Sequence, residues 1–177
     1  LKRLLQLHTK SIDLSLYRIK RLLKDLKNPE KKLMNVIQVV GTNGKHSCCT
    51  TLREIFETAG YKVNMNISPS LKKFNERYYL LGNYISDDKL HDLLIEVEKI
   101  NNHQSITFHE FICACFFLSA SRVKSDINIL ESGLFFRLDA SNVLEKNIAS
   151  VIMPIGIDHK DFLKKGTIDE IVYEKCS

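Results

Sequence analysis

Apolar residues recur along the chain at two spacings, and the longer spacing is that of an amphipathic helix. It occurs in residues 12–26, 48–59 and 90–97, which are followed by a more uniformly apolar helix candidate at 108–120. Asn28-Pro29 and Gly60 follow the first two candidates as stop signals, and Ser86 precedes the third as a candidate cap. The spacing Thr167-x-x-Glu170 is that of a capping box and predicts one more helix.

The shorter spacing and several short apolar runs predict β-strands. Residues 36–40 form an apolar run, and residues 63–67 alternate between apolar and polar, which predicts a half-exposed strand. Residues 78–85 carry Gly82-Asn83 at their centre and predict a hairpin. The runs 127–130 and 148–153 predict strands buried on both faces. Since strands alternate with helices, we expect an α/β fold with a three-layer parallel sheet.

Composition limits the class of protein. The chain has 177 residues, of which 44% are hydrophobic and 27% charged, so it can bury a sizeable core in one domain. The apolar run at 111–120 is too short to cross a bilayer and no signal sequence is recognisable, so we expect no membrane partner and a cytoplasmic protein. The five cysteines lack paired C-x-x-C spacing and are interpreted as reduced thiols.

Charge adds little to this description. The formal net charge is +5, partly from basic residues scattered over the first helix candidate. Such residues are more often the solvated face of a helix than a nucleic-acid surface. No aromatic residues interleave with a basic stripe, so we expect no nucleic-acid partner.

The most informative motif is the seven-residue loop between the apolar run 36–40 and the second helix candidate. Its sequence is Gly41-Thr42-Asn43-Gly44-Lys45-His46-Ser47. Glycines permit a tight turn and close approach to a phosphate, Lys45 offers a charge to the terminal phosphates, and the Ser47 hydroxyl is placed to bind magnesium. The common Walker spacing is absent, because Val39 stands where a glycine is required. A plain glycine-rich turn therefore remains an alternative.

Polar residues follow the predicted strands where a binding site is expected in a parallel sheet. Ser47, Ser68, Glu131 and His159 all lie at or shortly after carboxyl ends of strands, so they are expected to converge on one magnesium-nucleotide site. Each also has an ordinary explanation: a turn serine, a solvated carboxylate or a structural histidine.

The same residues carry a resemblance to a known family, the folylpolyglutamate synthases and bifunctional dihydrofolate synthases of the Mur ligase superfamily. The segments that resemble it, in order, are GTNGKHS at 41–47, SPSL at 68–71, FNER at 74–77, ITFHEF at 106–111, ESGLFFRLDASN at 131–142 and GIDH at 156–159. The resemblance covers nearly the whole chain. It implies a P-loop type, Mur-ligase-like ATPase domain.

The family activity implied is ATP-dependent amide ligation, in which a carboxylate of dihydropteroate or folate is phosphorylated and then attacked by L-glutamate. By resemblance, ATP and Mg²⁺ are the cofactors, the loop 41–47 binds the nucleotide, and Lys45, His159 and Lys175 are catalytic, Lys175 as a lysine that can be carbamylated. The implied metal ligands are Ser47, Ser68, Glu131 and His159. The implied substrate-binding residues are Phe74, Arg77, Thr107, Phe108 and Asp139.

The chain departs from the family at several positions. His46 and Phe135-Phe136 stand where the family has glycines, and Ser70 replaces a histidine. If the two phenylalanines require positive φ, each costs on the order of 1–3 kcal/mol.

The family pattern also continues beyond this sequence. Residues 1–177 are therefore expected to be a partial ATP-binding domain, with the carboxyl-terminal glutamate-binding domain absent. Three hypotheses follow: a ligase completed by a separate carboxyl-terminal chain, a silent degenerate fragment that at most binds nucleotide, and a nucleic-acid-binding module.

Overall fold

The computed structural model describes residues 13–177 and contains a six-stranded sheet with helices on both faces. The strands are β1 (Val36–Val40), β2 (Val63–Asn66), β3 (Tyr78–Leu80), β4 (Asn83–Tyr84), β5 (Ile127–Glu131) and β6 (Ala149–Ile152). The helices are α1 (Tyr17–Asp25), α2 (Lys45–Thr58), α3 (Asp87–Asn101), α4 (Phe108–Ser121) and α5 (Ile168–Cys176). Short 3-10 turns cover Pro29–Lys32, Phe74–Arg77 and Lys160–Phe162. Residue 12, the predicted start of the first helix, lies outside the described residues.

The sheet has the order β4-β3-β2-β5-β1-β6. Strands β2, β5, β1 and β6 are parallel, as predicted, whereas β3 and β4 add antiparallel strands at one edge. The predicted α/β class is confirmed, and the sheet is mixed rather than wholly parallel. Helices α1, α3 and α4 pack on one face and α2 on the other, so the three-layer prediction also holds.

The central strands explain where the core lies. All five residues of β1 and of β5 are buried, because each of these strands is covered on both faces. Helix α4 is apolar on most sides because it is itself buried under the sheet, with Phe111, Phe116 and Phe117 at most 1% exposed. A rigid two-sided core therefore supports the carboxyl ends of β1 and β5.

Two strand predictions were wrong about burial. Strand β2 is not half-exposed, since Asn64 is fully buried and donates from Nδ2 to Ser125 Oγ (3.0 Å) and to Asn128 Oδ1 (3.1 Å). Strand β6 is not buried on both faces, since Ile152 is 55% exposed. It pairs with β1 alone among the described strands, and Val151 is only partly buried against the core on the α2 face.

The turns follow the predicted signals with small shifts. Gly60 has φ 88° after α2, and Tyr61 N–H donates to Phe56 O (3.0 Å), which ends the helix as expected. The hairpin turns at Leu81-Gly82, one residue before the predicted centre, with φ 49° and 90°.

The predicted helix caps form, but only half of the predicted capping box at Thr167 does. Ser86 Oγ accepts from Lys89 N–H (3.4 Å), and Thr167 Oγ1 accepts from Glu170 N–H (3.3 Å). The Glu170 carboxylate instead accepts backbone N–H groups of residues 164–166, so it orders the loop that leads into α5. Within residues 13–177, no helix has the length and apolar character to cross a bilayer.

Candidate functional site

The loop between β1 and α2 makes a tight turn that two glycines permit. Gly41 has φ 147° and Gly44 has φ 79°. A Cβ on Gly41 would lie 2.6 Å from Met153 Cβ and 2.9 Å from Met153 O, because the segment after β6 passes directly over the loop. Only glycine fits between the two strands at this point.

The first half of the loop is hydrogen-bonded to the segment after β6. Thr42 and Asn43 N–H donate to Pro154 O (3.1 and 3.4 Å), and Thr42 Oγ1 accepts from Gly156 N–H (3.0 Å). These two loop amides are therefore already bonded to a carbonyl and do not point at a phosphate position. The first internal bond of α2 runs from Cys48 N–H to Gly44 O (2.9 Å), so the preceding N–H groups of the helix terminus are the donors left for an anion.

The Lys45 ammonium lies across the loop and, within residues 13–177, donates its hydrogen bonds to carbonyls. Its Nζ donates to Gly41 O (3.0 Å) and Thr42 O (3.3 Å). Phosphate oxygens are stronger acceptors than carbonyls because the hydrogen bond is then charge-assisted on both sides. The side chain is therefore placed at the mouth of the loop with acceptors that a phosphate can replace.

Glu131 ends β5 beside the loop and is joined to the end of β2. It is 4% exposed, and its Oε2 accepts from Ser68 N–H (3.0 Å). Burial raises the pKa of Glu131, although the Ser68 N–H and the charges of Lys45 and His46 oppose that rise. The structure thus brings the ends of β2 and β5 together with the positive loop.

The oxygen donors predicted for magnesium are only partly assembled. Ser68 contacts Glu131 through its backbone N–H and not through its hydroxyl, and Ser47 lies in the first turn of the neighbouring α2. In the described part of the chain, no three His, Cys, Asp or Glu side chains cluster closely enough to hold a metal ion. A cation here would depend on one carboxylate and hydroxyl groups.

His159 lies in a different environment from Glu131. Its backbone has φ 48°, its side chain is 47% exposed, and its ring contacts Phe135 and Phe162 with centroid distances of 6.4 and 6.5 Å. Its nearest carboxylate is that of Asp158, at 3.9 Å. None of these contacts involves Ser68 or Glu131, so its part in a metal site stays a prediction.

Lys175 approaches the loop from α5, although 134 residues separate it from Gly41. It is 1% exposed, and its Nζ donates to Gly41 O (3.2 Å) and Leu134 O (3.0 Å) and lies 3.6 Å from Asp158 Oδ2. Burial lowers the pKa of Lys175, and the Asp158 carboxylate partly offsets this. The carbamylation that the resemblance implies stays a prediction.

The two phenylalanines after β5 do not have the backbone strain that positive φ angles would cause. Neither Phe135 nor Phe136 has positive φ. Phe135 is fully buried, and the Lys175 Nζ lies 5.6 Å from its ring centroid. The aromatic ring therefore fills the space beneath the lysine at no cost in backbone conformation.

A cavity of about 410 Å³ opens beside this site, between the start of α4 and the segments after β2 and β5. Its polar lining includes Ser68, Arg77, Thr107, His109 and Asp139, and its apolar lining includes Pro69, Phe108, Ile112, Leu134 and Leu138. Four predicted substrate-binding residues thus share one cavity. The fifth, Phe74, packs behind it, with its ring centroid 6.1 Å from that of Phe108 and 5.1 Å from the Arg77 guanidinium.

Thr107 has a clear structural task in the wall of this cavity. Its Oγ1 accepts from Glu110 N–H (3.2 Å), and Glu110 Oε2 accepts from Thr107 N–H (2.8 Å), which closes the capping box of α4. Glu110 Oε2 also accepts from Arg18 Nε (2.9 Å), so the carboxylate ties α1 to α4. This corner of the cavity is therefore rigid.

Asp139 organises the segment after β5 from a buried position. Oδ1 accepts from Ser141 N–H (2.8 Å) and Ser141 Oγ (2.5 Å), and Oδ2 accepts from Gly133 N–H (3.0 Å). Oδ2 also lies 3.3 Å from His109 Nε2. Although burial opposes it, the His109 charge and these donors hold the pKa of Asp139 below its usual range.

Sequence reasoning missed His109. Its nearest polar partner, Asp139, is 30 residues away in sequence. The residue lies inside the segment 106–111 that carries the family resemblance, but no spacing within that segment marks a histidine as functional. Membership of that segment was the only available signal.

Comparison with known proteins places this geometry in context. No protein-family model matches the chain. The dihydrofolate synthase/folylpolyglutamate synthase of Escherichia coli is 35% identical over 157 residues, which cover 89% of this chain and 37% of that protein.

The chain is also similar to solved structures of related enzymes. Escherichia coli FolC in complex with DHPP and ADP has a TM-score of 0.91 at 33% identity, over 98% of this chain and 41% of that chain. The bifunctional enzyme of Yersinia pestis complexed with AMPPNP and Mn ion has a TM-score of 0.88 at 32% identity, over 98% of this chain and 42% of that chain. The present chain spans about two fifths of the length of these proteins.

Proposed function

Because the chain belongs to the folylpolyglutamate synthase and dihydrofolate synthase family over the amino-terminal part that it spans, we propose that it is the nucleotide- and pterin-binding part of an ATP-dependent amide ligase of the folate pathway. The observation that carries this proposal is the hydrogen bond from Ser68 N–H to Glu131 Oε2. Ser68 lines the cavity, and Glu131 is close enough to Lys45 for its pKa to respond to that charge. The cavity and the phosphate loop therefore meet at one point.

The chemistry of the loop fits a nucleotide. The amino-terminal N–H groups of α2 and the Lys45 ammonium would receive the phosphates, and Lys45 would exchange its two carbonyl acceptors for phosphate oxygens. Complexes of related proteins with ADP and AMPPNP support this assignment.

The oxygen ligands that the site offers also fit a magnesium ion that keeps several of its waters. Magnesium prefers oxygen ligands and keeps several waters and substrate phosphates, so one carboxylate and two hydroxyls suffice. Glu131, Ser47 and Ser68 would hold the ion, which would neutralise charge on the transferring phosphoryl group. His159 is proposed as a further ligand from the family resemblance alone.

The cavity fits the other substrate. Its apolar wall suits a flat heterocycle, and a carboxylate of dihydropteroate or of a folate glutamate bound at Ser68 in its lining would lie next to the loop. That carboxylate oxygen would attack the γ-phosphorus and release ADP. The amine of L-glutamate would then displace phosphate from the acyl phosphate and form the amide. Lys45 stabilises the negative charge of the phosphoryl group during transfer.

Replacing Lys45 with alanine tests the nucleotide site. We expect ATP-Mg²⁺ to bind about 10- to 100-fold more weakly, because a charge-assisted hydrogen bond contributes about 1.5–3 kcal/mol. Isothermal titration calorimetry measures the change. Lys99→Ala, at an exposed lysine of α3, is the matched control and should bind as the native chain does. Equal affinities for native chain and Lys45→Ala would remove the proposed role of the loop.

A turnover assay separates an active ligase from a silent fragment. The measurement is ADP formation from ATP with dihydropteroate, with and without L-glutamate. Glutamate-dependent turnover by residues 1–177 supports the ligase directly. Binding of ATP and dihydropteroate without turnover supports a fragment that needs a separate carboxyl-terminal chain or has lost activity.

A further inference from the structure

His109 stands out in the cavity because half of its hydrogen-bonding capacity is unused. The side chain is 31% exposed and lines the cavity from the first turn of α4. Nε2 lies 3.3 Å from Asp139 Oδ2 and 3.7 Å from Cys113 Sγ. Within residues 13–177, no protein group forms a hydrogen bond with Nδ1.

The surroundings fix which nitrogen carries a proton. Asp139 is 4% exposed, and its other contacts are all donated to it, so the group facing it at Nε2 must also be a donor. Nε2–H therefore points to Asp139, and Nδ1 is the nitrogen left for a ligand. If the ring turned to exchange the two, Asp139 Oδ2 would lose the His109 donor and keep only the Gly133 N–H.

The charges around His109 favour its protonated form. Burial disfavours the imidazolium, but Cys113 and Asp139 together raise the pKa of His109 well above its ordinary value. The other charged groups in the cavity wall are Asp13, Arg77 and Glu110. Asp13 and Glu110 both bond to Arg18, so these acids are already paired.

We propose that His109 is a specificity-determining residue of the cavity, which donates a hydrogen bond from Nδ1 to an acceptor atom of a heteroaromatic ligand while Asp139 holds the ring. This inference rests on the proposed function, since it assigns a contact in the pterin-binding cavity. A flat ring fits between the apolar side chains, and a donor fixed in one wall selects ligands with an oxo group or ring nitrogen at that edge. A ligand with a donor there would be rejected.

Binding of dihydropteroate at different pH values tests the proposal with two variants. His109→Gln keeps an N–H donor that does not titrate, whereas His109→Phe keeps the ring shape without a donor. Affinities of the native chain and both variants are measured from about pH 6 to about pH 9. Any titration of the ligand itself is seen equally in all three proteins.

The sign of the expected change follows from the donor. Nδ1 carries a proton below the pKa of folded His109 and becomes an acceptor above it, so the native affinity should fall about 10-fold as pH rises through that value. His109→Gln should bind with nearly native low-pH affinity at every pH. His109→Phe should bind about 10-fold more weakly at low pH, with no further pH dependence.

Several outcomes would contradict the proposal. Tight binding by His109→Phe, or the native pH dependence in His109→Gln, overturns the role of His109 and leaves the proposed function standing. No binding of dihydropteroate by the native chain overturns both. ATP binding by each variant checks the fold, and if His109→Phe fails that check, the comparison of the native chain with His109→Gln decides.

Discussion

Asp139→Asn is expected to lower the free energy of unfolding by about 3–5 kcal/mol, the range for removing one partner of a buried charged pair. Both carboxylate oxygens accept hydrogen bonds, from Ser141 on one side and from Gly133 and His109 on the other. An asparagine offers one oxygen and one NH₂ group. Whichever way it turns, the NH₂ group faces a donor, and the His109 charge loses its counter-ion.

Urea unfolding followed by circular dichroism measures this loss. Asp92→Asn is the matched control, since the Asp92 side chain is 85% exposed and the same chemical change there should cost less than about 0.5 kcal/mol. A cost below about 1 kcal/mol for Asp139→Asn would show that the segment after β5 does not depend on this carboxylate.

The buried pair of Asp139 and His109 also predicts how the free energy of unfolding depends on pH. The lowered pKa of Asp139 contributes stability above its unfolded pKa and loses it in acid, whereas the raised pKa of His109 contributes stability below its unfolded pKa and loses it in base. Both contributions are complete from about pH 4 to about pH 6.5. In Asp139→Asn the loss of stability in acid should be smaller than in the native chain.

The second large effect is expected for Gly41→Ala. We expect about 2–6 kcal/mol of destabilisation and at least about 10-fold weaker ATP binding, because backbone strain and overpacking each cost about 1–3 kcal/mol. The new Cβ would lie 2.6 Å from Met153 Cβ, and the backbone already has φ 147°. The loop must shift, which moves the carbonyl that both Lys45 and Lys175 contact.

Gly82→Ala is the control that separates the cost of positive φ from the cost of the steric clash with Met153. Gly82 also has positive φ, at 90°, but nothing lies within 4 Å of the position of a Cβ. This variant should lose only about 1 kcal/mol and bind ATP normally. If Gly41→Ala costs no more than Gly82→Ala, contact with Met153 is not the reason for the glycine.

The sequence predicted the elements of the fold better than their burial. Periodicity located the strands and helices because it depends on local spacing. It could not show that Asn64 meets a partner on β5, nor that β6 lies at an edge where Ile152 is exposed. Burial also depends on what packs from elsewhere in the chain, and local alternation of apolar and polar residues does not show those partners.

The same distinction explains which parts of the site were predicted. The glycine loop and the meeting of Ser68 with Glu131 follow from local sequence and from the rule for strand ends. His159 lies seven residues beyond β6, and the fully buried Phe135 ring packs against it. The rule for strand ends does not fix a side chain at the end of such a connection. The pair His109 and Asp139 is set by tertiary packing alone.

Edge strand β6 has a consequence for the motion of the loop. Met153 N–H donates to Val40 O (2.7 Å), and the Pro154 and Gly156 contacts then hold Thr42 and Asn43. The Thr42 and Asn43 amides can exchange hydrogen with solvent only when this segment lifts away. The free energy needed to open a strand that is paired on one side therefore sets the hydrogen-exchange protection of the Thr42-Asn43 turn.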